Sequence, residues 1–473
     1  MLWVKFSREI RLTQIIIINF ASTILIIHLI MLYRVIIGNY RSFGEEQEFN
    51  MFPNMRRDNF THHIYNVESL PVLKESAIYG ANGAGKSNFV KALAFIEQFT
   101  TEVPSQDKLW LKNWYLENRF RLPVLEGERP IGILVEFGLD RAVFIYNLEI
   151  GKDGVNTENL YLSGKGKGDH TSIFSRSGNN VTFEAANVGE DIRKIFIRQI
   201  SDNPSASILA LNGTLHLTDD ENMAKAYRWF KKNLSVISVE RQIPWLIEQL
   251  KDQKDVLEFV NHIFSEVGLG ISHMDINASQ FDDWINKTNN RERNIINALL
   301  NNGTDPNHTV SKMGSEVPMY SISVENGERM VREFIFNQIG RNGYTGTMNA
   351  SAQSAGTLRL LSLVPALYYA MKTESTVVID EIDNGIHPIL IKHLIKFFGK
   401  SDTKGQLIFT THETPLLNQK ELLRADEVWF TEKKFGETQM YSLNDFKYHK
   451  SLSVENGYLD GRFGAIPFLG SLE

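Results

Sequence analysis

The chain has 473 residues, 42% of them hydrophobic and 22% charged, so it can bury a large core and is neither fibrous nor disordered throughout. Lys and Arg number 50 against 56 Asp and Glu, a net charge of -6, so no global basic field recruits nucleic acid or anionic membrane. Because the chain has no cysteine, disulfides, thiolate nucleophiles and cysteine-bound zinc are excluded, and a cytoplasmic location is expected.

The first segment, residues 1–30, is an apolar N-terminal extension. The stretch Ile15–Tyr33 has 19 residues, close to the length that spans a bilayer, and three basic residues precede it. Three interpretations stay open: a membrane anchor, a buried or partner-covered segment, and an extension created by a start codon assigned upstream of Met31. A secretory signal peptide is not favoured, because no small-residue cleavage site follows.

The next elements are mostly strands. The pattern predicts a strand over Leu32–Gly38 and a β-hairpin involving Glu45–Phe52. A short strand, Glu75–Tyr79, enters a Gly-rich loop, and the apolar spacing of Lys86–Phe99 predicts a helix. Over 131–183, β-like runs alternate with Gly-, Asp- and Asn-rich turns, which predicts an antiparallel meander.

The rest of the chain is predicted to be mostly helical at first and then to alternate between helices and strands. Helices are expected at Ala224–Lys232, Trp245–Phe264, Asp283–Asn302, Leu358–Met371 and Ile386–Phe398, and strands at Met319–Val324, Arg332–Phe336, Thr376–Ile379, Gln406–Thr410 and Glu427–Thr431. The alternation in the last third predicts βαβ units and a parallel sheet. No heptad persists over several repeats, so no long coiled coil is expected.

The segment GANGAGKS matches GxxxxGK[ST], the phosphate-binding loop. Backbone N–H groups of such a loop cradle phosphates, the lysine reaches the β and γ oxygens, and the hydroxyl coordinates Mg²⁺. Its position between a strand and a helix supports binding of ATP with Mg²⁺. The predicted nucleotide-binding residues here are Gly80, Asn82, Gly83, Ala84, Gly85, Lys86, Ser87 and Asn88, with Ser87 also a metal ligand.

Two acids follow the apolar strand Val377–Ile379. Asp380 is predicted to hold Mg²⁺ and Glu381 to polarise the attacking water. Alone, this pattern is equally typical of a strand followed by an acidic helix cap, but the phosphate loop favours the catalytic interpretation. A further strand ends at His412, which is placed to contact a γ-phosphate.

A second anion site is predicted at Ser354, where the run SAGT opens a helix. Together these motifs resemble the ABC/SMC class of ATPases, with SAGT as a short relative of the signature motif, Asp383 in the D-loop and His412 as the switch histidine. The resemblance implies a homodimer or higher oligomer in which Ser354 and Gly356 of one chain close the ATP bound by another.

Two further features of the resemblance concern nucleotide contacts. Asn39, Arg41 and Ser42 are similar to the SMC-type opening that reaches the nucleotide. Gln199 and Gln242 both lie between the phosphate loop and SAGT, and the sequence does not single out either as the Q-loop glutamine.

The fold implied is an α/β, ABC-type (SMC-like), two-lobed ATPase head with an antiparallel meander. Its expected parts are a lobe over 31–215, a mainly helical insertion over 216–318 in place of long coiled coils, and a second lobe over 319–473.

A narrower resemblance covers the chain from Met31 onward and is densest from Ser354. The stretches SAGTLRLLSLVPAL, VVIDEIDNGIHPIL and QLIFTTHETPLL look like stand-alone prokaryotic AAA ATPases, including RloA-like and AbiL-type proteins and the ATPase of the PARIS anti-phage system. This implies an ATPase sensor in abortive infection that controls a separately encoded toxic effector, a nuclease or Toprim-like protein, with a phage protein as a possible trigger. The main alternative is an SMC-like DNA-binding ATPase of repair or chromosome maintenance, so DNA stays a possible partner.

Overall fold

The computed structural model describes residues 30–66, 70–104, 109–122, 128–164, 169–184, 188–238, 246–287, 293–294, 296, 308–311, 318–417, 422–448 and 452–467. The chain divides into two compact units. The meander unit comprises Met1–Pro53, Ile64–Val72 and Phe95–Asn233, and the loop unit comprises Asn54–His63, Leu73–Ala94 and Leu234–Glu473. Residues 1–29, which hold most of the apolar N-terminal stretch, lie outside the described residues.

The strands are numbered in chain order. They are β1 Met31–Gly38, β2 Gln47–Asn50, β3 Ile64–Tyr65, β4 Val72–Leu73, β5 Glu75–Gly80, β6 Ile131–Leu139, β7 Ala142–Gly151, β8 Gly154–Leu162, β9 Thr171–Ser177, β10 Asn180–Phe183, β11 Leu234–Ile237, β12 Ile271–Gln280, β13 His308–Ser311, β14 Pro318–Glu325, β15 Glu328–Ile339, β16 Thr345–Asn349, β17 Thr376–Ile379, β18 Gln406–Thr410, β19 Val428–Lys434 and β20 Glu437–Ser442.

The helices are numbered in the same way. They are α1 Lys86–Thr101, α2 Trp110–Asn118, α3 Glu190–Asp202, α4 Ile208–Leu215, α5 Glu221–Arg228, α6 Leu246–Lys251, α7 Lys254–Glu266, α8 Phe281–Lys287, α9 Ala355–Lys372, α10 Pro388–Lys400 and α11 Val454–Leu459, and a π-helical turn at Trp229–Asn233 follows α5.

The meander unit is built on a seven-stranded sheet with the order β10-β9-β8-β7-β6-β1-β2. Every neighbouring pair is antiparallel. Buried apolar side chains such as Val35, Val135 and Phe137 line its core, and Phe137 stacks on Trp229 with ring centroids 4.2 Å apart. The predicted hairpin and the predicted meander are therefore both confirmed.

The loop unit contains a six-stranded sheet with the order β11-β17-β18-β5-β19-β20. All neighbours are parallel except β19 and β20. Its central strands are buried along their whole length, as expected for parallel strands covered on both faces. Leu361 and Val364 of α9 pack in one core cluster with Ala77, Ile379 and Phe409 of the sheet.

A five-stranded antiparallel sheet, β12-β15-β14-β13 with β16 also on β15, belongs to the loop unit. The range 216–318, predicted to be mainly helical, supplies β12 and β13 to it and supplies β11 to the parallel sheet. The predicted helix Trp245–Phe264 is two helices, α6 and α7, with a break at Asp252 and Gln253. Most of the predicted helix Asp283–Asn302 lies outside the described residues, and α8 ends at Lys287.

The α/β class predicted from the sequence, with two units and an antiparallel meander, is confirmed. The domain boundaries at 30, 215 and 318 stay predictions. In the described part of the chain, no helix is long and apolar enough to cross a membrane.

Candidate nucleotide-binding site

The phosphate loop joins β5, the fourth strand of the parallel sheet, to α1. The loop lies tightly against the β19–β20 hairpin, because a Cβ on Gly80 would come within 2.3 Å of Thr431 Oγ1 and one on Gly85 within 2.3 Å of Thr438 Oγ1. Gly85 also has a φ of +113°, which other residues rarely adopt. The hairpin therefore fixes the loop at both ends, and only glycine fits these two positions.

Gly83 is the glycine of the loop that has free space beside its Cα. Its φ is +76° and a Cβ there would meet nothing within 4 Å, so this part of the loop backbone is accessible to a ligand. Asn82 is exposed, Ser87 and Asn88 are half-buried, and Ala84 is buried, with its carbonyl accepting a 2.8 Å hydrogen bond from Thr438 Oγ1.

Lys86 begins α1, and its side chain is 4% exposed. The ammonium donates to the Gly80 carbonyl at 2.6 Å and the Ala81 carbonyl at 3.3 Å. Burial lowers the pKa of Lys86 to about 8, against the opposing effect of three nearby carboxylates, Glu381, Asp380 and Asp383. The Lys86 ammonium thus bonds two carbonyls of its own loop and lies within electrostatic range of the acids that follow β17.

Asp380 and Glu381 follow β17, which is parallel to β18. The Thr410 hydroxyl donates to Asp380 Oδ1 at 2.7 Å and accepts from the Glu381 backbone N–H at 2.7 Å, so one side chain holds the Asp380 carboxylate and the Glu381 backbone. Arg359 donates to the carbonyls of Asp380 and Glu381 at 2.9 and 3.0 Å. Glu381 has a φ of 47°, an uncommon backbone conformation of the kind found at functional sites.

Asp383 and His412 meet in the same region. The His412 N–H donates to Asp383 Oδ2 at 3.3 Å, while Asp383 Oδ1 is buried and has no hydrogen-bond partner in the described structure. Partial burial and the Lys86 ammonium lower the pKa of His412, and the carboxylates of Asp383, Glu381 and Asp380 oppose this. The structure therefore brings together five predicted site residues: Lys86, Asp380, Glu381, Asp383 and His412.

Ser354 caps the 18-residue helix α9, its hydroxyl accepting from the Thr357 N–H at 3.1 Å. Ser354 is exposed, and a Cβ on Gly356 would come within 2.7 Å of the Gly385 carbonyl. The contacts described for these two residues are with Thr357, Leu358 and Gly385. An exposed helix N-terminus of this kind is suited to an anion supplied from outside.

Asn39, Arg41 and Ser42 form a turn in the meander unit. Asn39 and Arg41 have φ values of 52° and 51°; Asn39 Nδ2 donates to the Arg129 carbonyl at 2.6 Å and the Arg41 N–H donates to the Asn118 carbonyl at 2.5 Å. The Arg41 side chain is exposed and Ser42 is buried. Their role as nucleotide contacts stays a prediction.

The two glutamines considered for the Q-loop differ in what the structure describes. Gln199 is in α3 of the meander unit, and its carbonyl accepts from the Asn203 N–H at 2.8 Å. Gln242 lies outside the described residues.

The residues present fit ATP with Mg²⁺. A tight Gly-rich loop leads into a helix N-terminus, Ser87 supplies a hydroxyl, and buried Asp380 has one carboxylate oxygen held by Thr410. Hydroxyl and carboxylate oxygens are the ligands that Mg²⁺ prefers.

Sequence reasoning missed the residues that support the site from elsewhere in the chain. Thr410 lies within the run TTH, and only strand pairing reveals that it contacts both acids. Thr431 and Thr438 belong to no recognisable sequence motif. They contact the phosphate loop because their strands pack on it. The sequence signal that was available is the apolar strand ending in Thr410, since parallel strands end at one edge.

The fold and this site define a P-loop ATPase. A family model described as "AAA domain, putative AbiEii toxin, Type IV TA system" matches residues 76–418. The chain belongs to this family. No match was found among curated proteins.

Solved structures with similarity include three SMC head domains. The SMC head domain from Thermotoga maritima is 13% identical with a TM-score of 0.38, covering 87% of this chain and 98% of that one. An SmcHead bound to the C-winged helix domain of ScpA is 12% identical with a TM-score of 0.40, covering 90% and 99%. A Pyrococcus furiosus Smc head domain with an extended coiled coil, bound to the C-terminal domain of ScpA, is 11% identical with a TM-score of 0.39, covering 92% and 99%.

The depressed pKa of Lys86 predicts a pH dependence of ATP binding. With a pKa of about 8 in the nucleotide-free protein, the ammonium is present below that pH and lost above it. Because the phosphates need the charged form, the apparent ATP affinity is expected to fall above pH ~8, approaching about tenfold per pH unit. Calorimetric titration of Mg²⁺ and ATP from neutral to alkaline pH measures this.

The matched control is Lys86→Arg, whose guanidinium keeps its charge throughout this range. It is expected to show a flat profile above pH ~8 at whatever affinity it retains. A flat profile in the wild-type protein would contradict the prediction.

Proposed function

We propose that the chain is an ATP-binding and ATP-hydrolysing sensor in a prokaryotic anti-phage, abortive-infection system that controls a separately encoded toxic effector, a nuclease or Toprim-like protein. The observation that carries the ATPase part is the convergence of Lys86 with Asp380, Glu381, Asp383 and His412. The family description, which names a toxin and a toxin–antitoxin system, supports the defence part.

In this proposal, ATP with Mg²⁺ supplies, when bound, the γ-phosphoryl group that is transferred to water. The loop N–H groups and Lys86 hold the phosphates, and Ser87 and Asp380 hold the metal ion. Thr410 keeps the Asp380 carboxylate and the Glu381 backbone in place. Burial of Lys86 and Asp380 strengthens their charge interactions, because little water reaches these two side chains.

Glu381 acts on the attacking water as an acceptor of its proton, and His412 contacts the terminal phosphate. The Glu381 N–H donates to Thr410 Oγ1 and the Glu381 carbonyl accepts from Arg359, so the backbone that carries the carboxylate is already held in place. His412 is linked to Asp383 through its own N–H, which ties the histidine to the segment after β17. A change at the phosphate can thus be transmitted to this segment.

A second copy of the chain completes the site. Ser354 is exposed and caps the Thr357 N–H at the N-terminus of α9, so this helix end is open to a nucleotide held by another chain. Gly356 packs on the Gly385 carbonyl, which couples the signature helix to the D-loop segment. Closure and reopening of the dimer are the output that an effector reads.

The effector is tested by purifying Glu381→Gln protein with Mg²⁺ and ATP from its native host, treating it with nuclease and identifying bound proteins by mass spectrometry. A stoichiometric protein with nuclease or Toprim character is expected. The matched control is Lys86→Ala protein prepared in parallel, which should retain less of a nucleotide-dependent partner.

Absence of a protein partner, together with nuclease-sensitive nucleic acid that stimulates wild-type ATP turnover with steep salt dependence, would contradict the effector proposal. That result would favour DNA maintenance instead.

A further inference from the structure

Three buried side chains of the loop unit converge away from the nucleotide site: His63, Glu75 and Glu427. Their exposed fractions are 2%, 0% and 0%. His63 Nδ1 lies 3.2 Å from Glu75 Oε1 and 2.9 Å from Glu427 Oε1, and one ligand atom of each residue lies within 4.8 Å of the others. Nothing in the ATPase mechanism uses these groups.

The cluster is separate from the Mg²⁺ site. Glu75 is the first residue of β5 and Gly80 is the last, so the strand holds the two sites at opposite ends, about 16 Å apart. Glu427 immediately precedes β19, the strand paired with β5 on the side away from β18. His63 is the last residue of the segment 54–63, which contributes no strand to the parallel sheet.

The hydrogen bonds around the cluster leave the Glu75 carboxylate without a partner. Glu427 Oε2 accepts from the Arg424 N–H at 2.6 Å and Glu427 Oε1 is hydrogen-bonded to His63 Nδ1 at 2.9 Å, whereas neither carboxylate oxygen of Glu75 has a hydrogen-bond partner in the described structure. The Arg424 guanidinium pairs with Asp426 at 2.8 Å rather than with Glu75. A fully buried carboxylate with two unsatisfied oxygens is costly unless another group compensates it.

The electrostatic environment of the cluster also disfavours its carboxylates. Burial, and then the Glu427 carboxylate, raise the pKa of Glu75 well above its usual range, and burial also raises the pKa of Glu427. Lys74 is a neighbouring cation, but burial lowers its pKa, so its charge is itself unfavourable there. A divalent cation bound here would compensate the charge of the two carboxylates, which burial otherwise disfavours.

We propose that His63, Glu75 and Glu427 bind a structural divalent cation of the zinc class. Zinc takes imidazole nitrogen and carboxylate oxygen at about 2.0–2.2 Å, which places tetrahedral ligand atoms about 3.3 Å apart. The separations of 2.9 and 3.2 Å are close to this value. Neither oxygen of Glu75 has a hydrogen-bond partner in the described structure, so its carboxylate is available to the cation, and a water would take the fourth tetrahedral position beside the three protein ligands.

The position of Gly399 fits a tightly enclosed site. A Cβ there would lie 2.8 Å from both Glu75 Oε1 and His63 Nε2, so α10 approaches the cluster without a side chain in between. A bound cation would tie together the segment 54–63, β5 and the start of β19. It would thereby brace β5, the strand that carries the phosphate loop.

The test uses the untagged full-length chain, saturated with Zn²⁺ without nucleotide, desalted and analysed by elemental mass spectrometry. About one zinc per chain is expected in the wild type, with a higher Tm than after chelation. Glu75→Gln and His63→Asn should each retain less than about a tenth of this amount. His62→Asn is the matched control, because His62 is the exposed neighbour of His63 and should leave zinc binding unchanged.

Lys86→Ala should also retain zinc, which separates this inference from the nucleotide site. Wild-type protein that keeps no zinc and whose Tm does not respond to zinc would overturn the proposal and leave a proton-bound cluster only. Full retention of zinc in both Glu75→Gln and His63→Asn would overturn it equally. The wild-type measurement decides even where a variant does not fold.

Discussion

Replacing Lys86 with alanine is expected to abolish measurable ATP binding. The side chain is buried at the base of the phosphate loop, and its ammonium is the cation placed to reach the β and γ phosphates. Loss of two charge-assisted hydrogen bonds at about 1.5–3 kcal/mol each weakens affinity by at least about 100-fold. Calorimetric titration, or competition with a fluorescent ATP analogue, measures the change.

The control for this substitution is Lys91→Ala, which removes a lysine from the same helix α1 without altering the loop. It should bind ATP within about twofold of the wild type, an effect below ~0.5 kcal/mol. Because Lys86 also donates to two loop carbonyls, the Tm of both variants must be compared with the wild type. Undiminished ATP affinity in folded Lys86→Ala protein would remove the phosphate-loop assignment.

The parts of the site that could be predicted from the sequence are those formed by residues close together in the chain. A phosphate loop needs glycines, a lysine and a hydroxyl within eight consecutive positions, and its strand and helix adjoin it in the chain. Asp380 likewise follows its strand directly. The pattern of apolar residues was therefore sufficient to place both on one sheet edge, since parallel strands end together.

The supporting contacts were not predictable because they join distant parts of the chain. Thr410 is 30 residues from Asp380, and Thr438 is 354 residues from Ala84. Nothing in a local window distinguishes these threonines from others in strands. The same limit explains β11, which periodicity placed in a helical region although it pairs with β17 in the parallel sheet.

Glu381→Gln is expected to lower ATP hydrolysis by about 10²–10⁴-fold while leaving ATP binding intact. Glutamine has the same shape as glutamate but cannot accept the proton of water. The Glu381 N–H, which donates to Thr410 Oγ1, and the carbonyl, which accepts from Arg359, are backbone groups that the substitution retains. Single-turnover hydrolysis with radiolabelled ATP measures the chemical step directly.

The same variant is expected to accumulate as a closed dimer with Mg²⁺ and ATP, because nucleotide that is bound but not hydrolysed keeps the exposed Ser354 of each chain on the other's site. Analytical ultracentrifugation with and without ATP measures this, and adding Lys86→Ala should return the protein to its nucleotide-free state. Glu413→Gln is the matched control: Glu413 is a partly buried neighbour whose pKa burial raises, and its loss should leave turnover within about twofold. Folded Glu381→Gln protein that hydrolyses ATP at the wild-type rate, or that binds ATP without dimerising, would show that hydrolysis and closure depend on another residue.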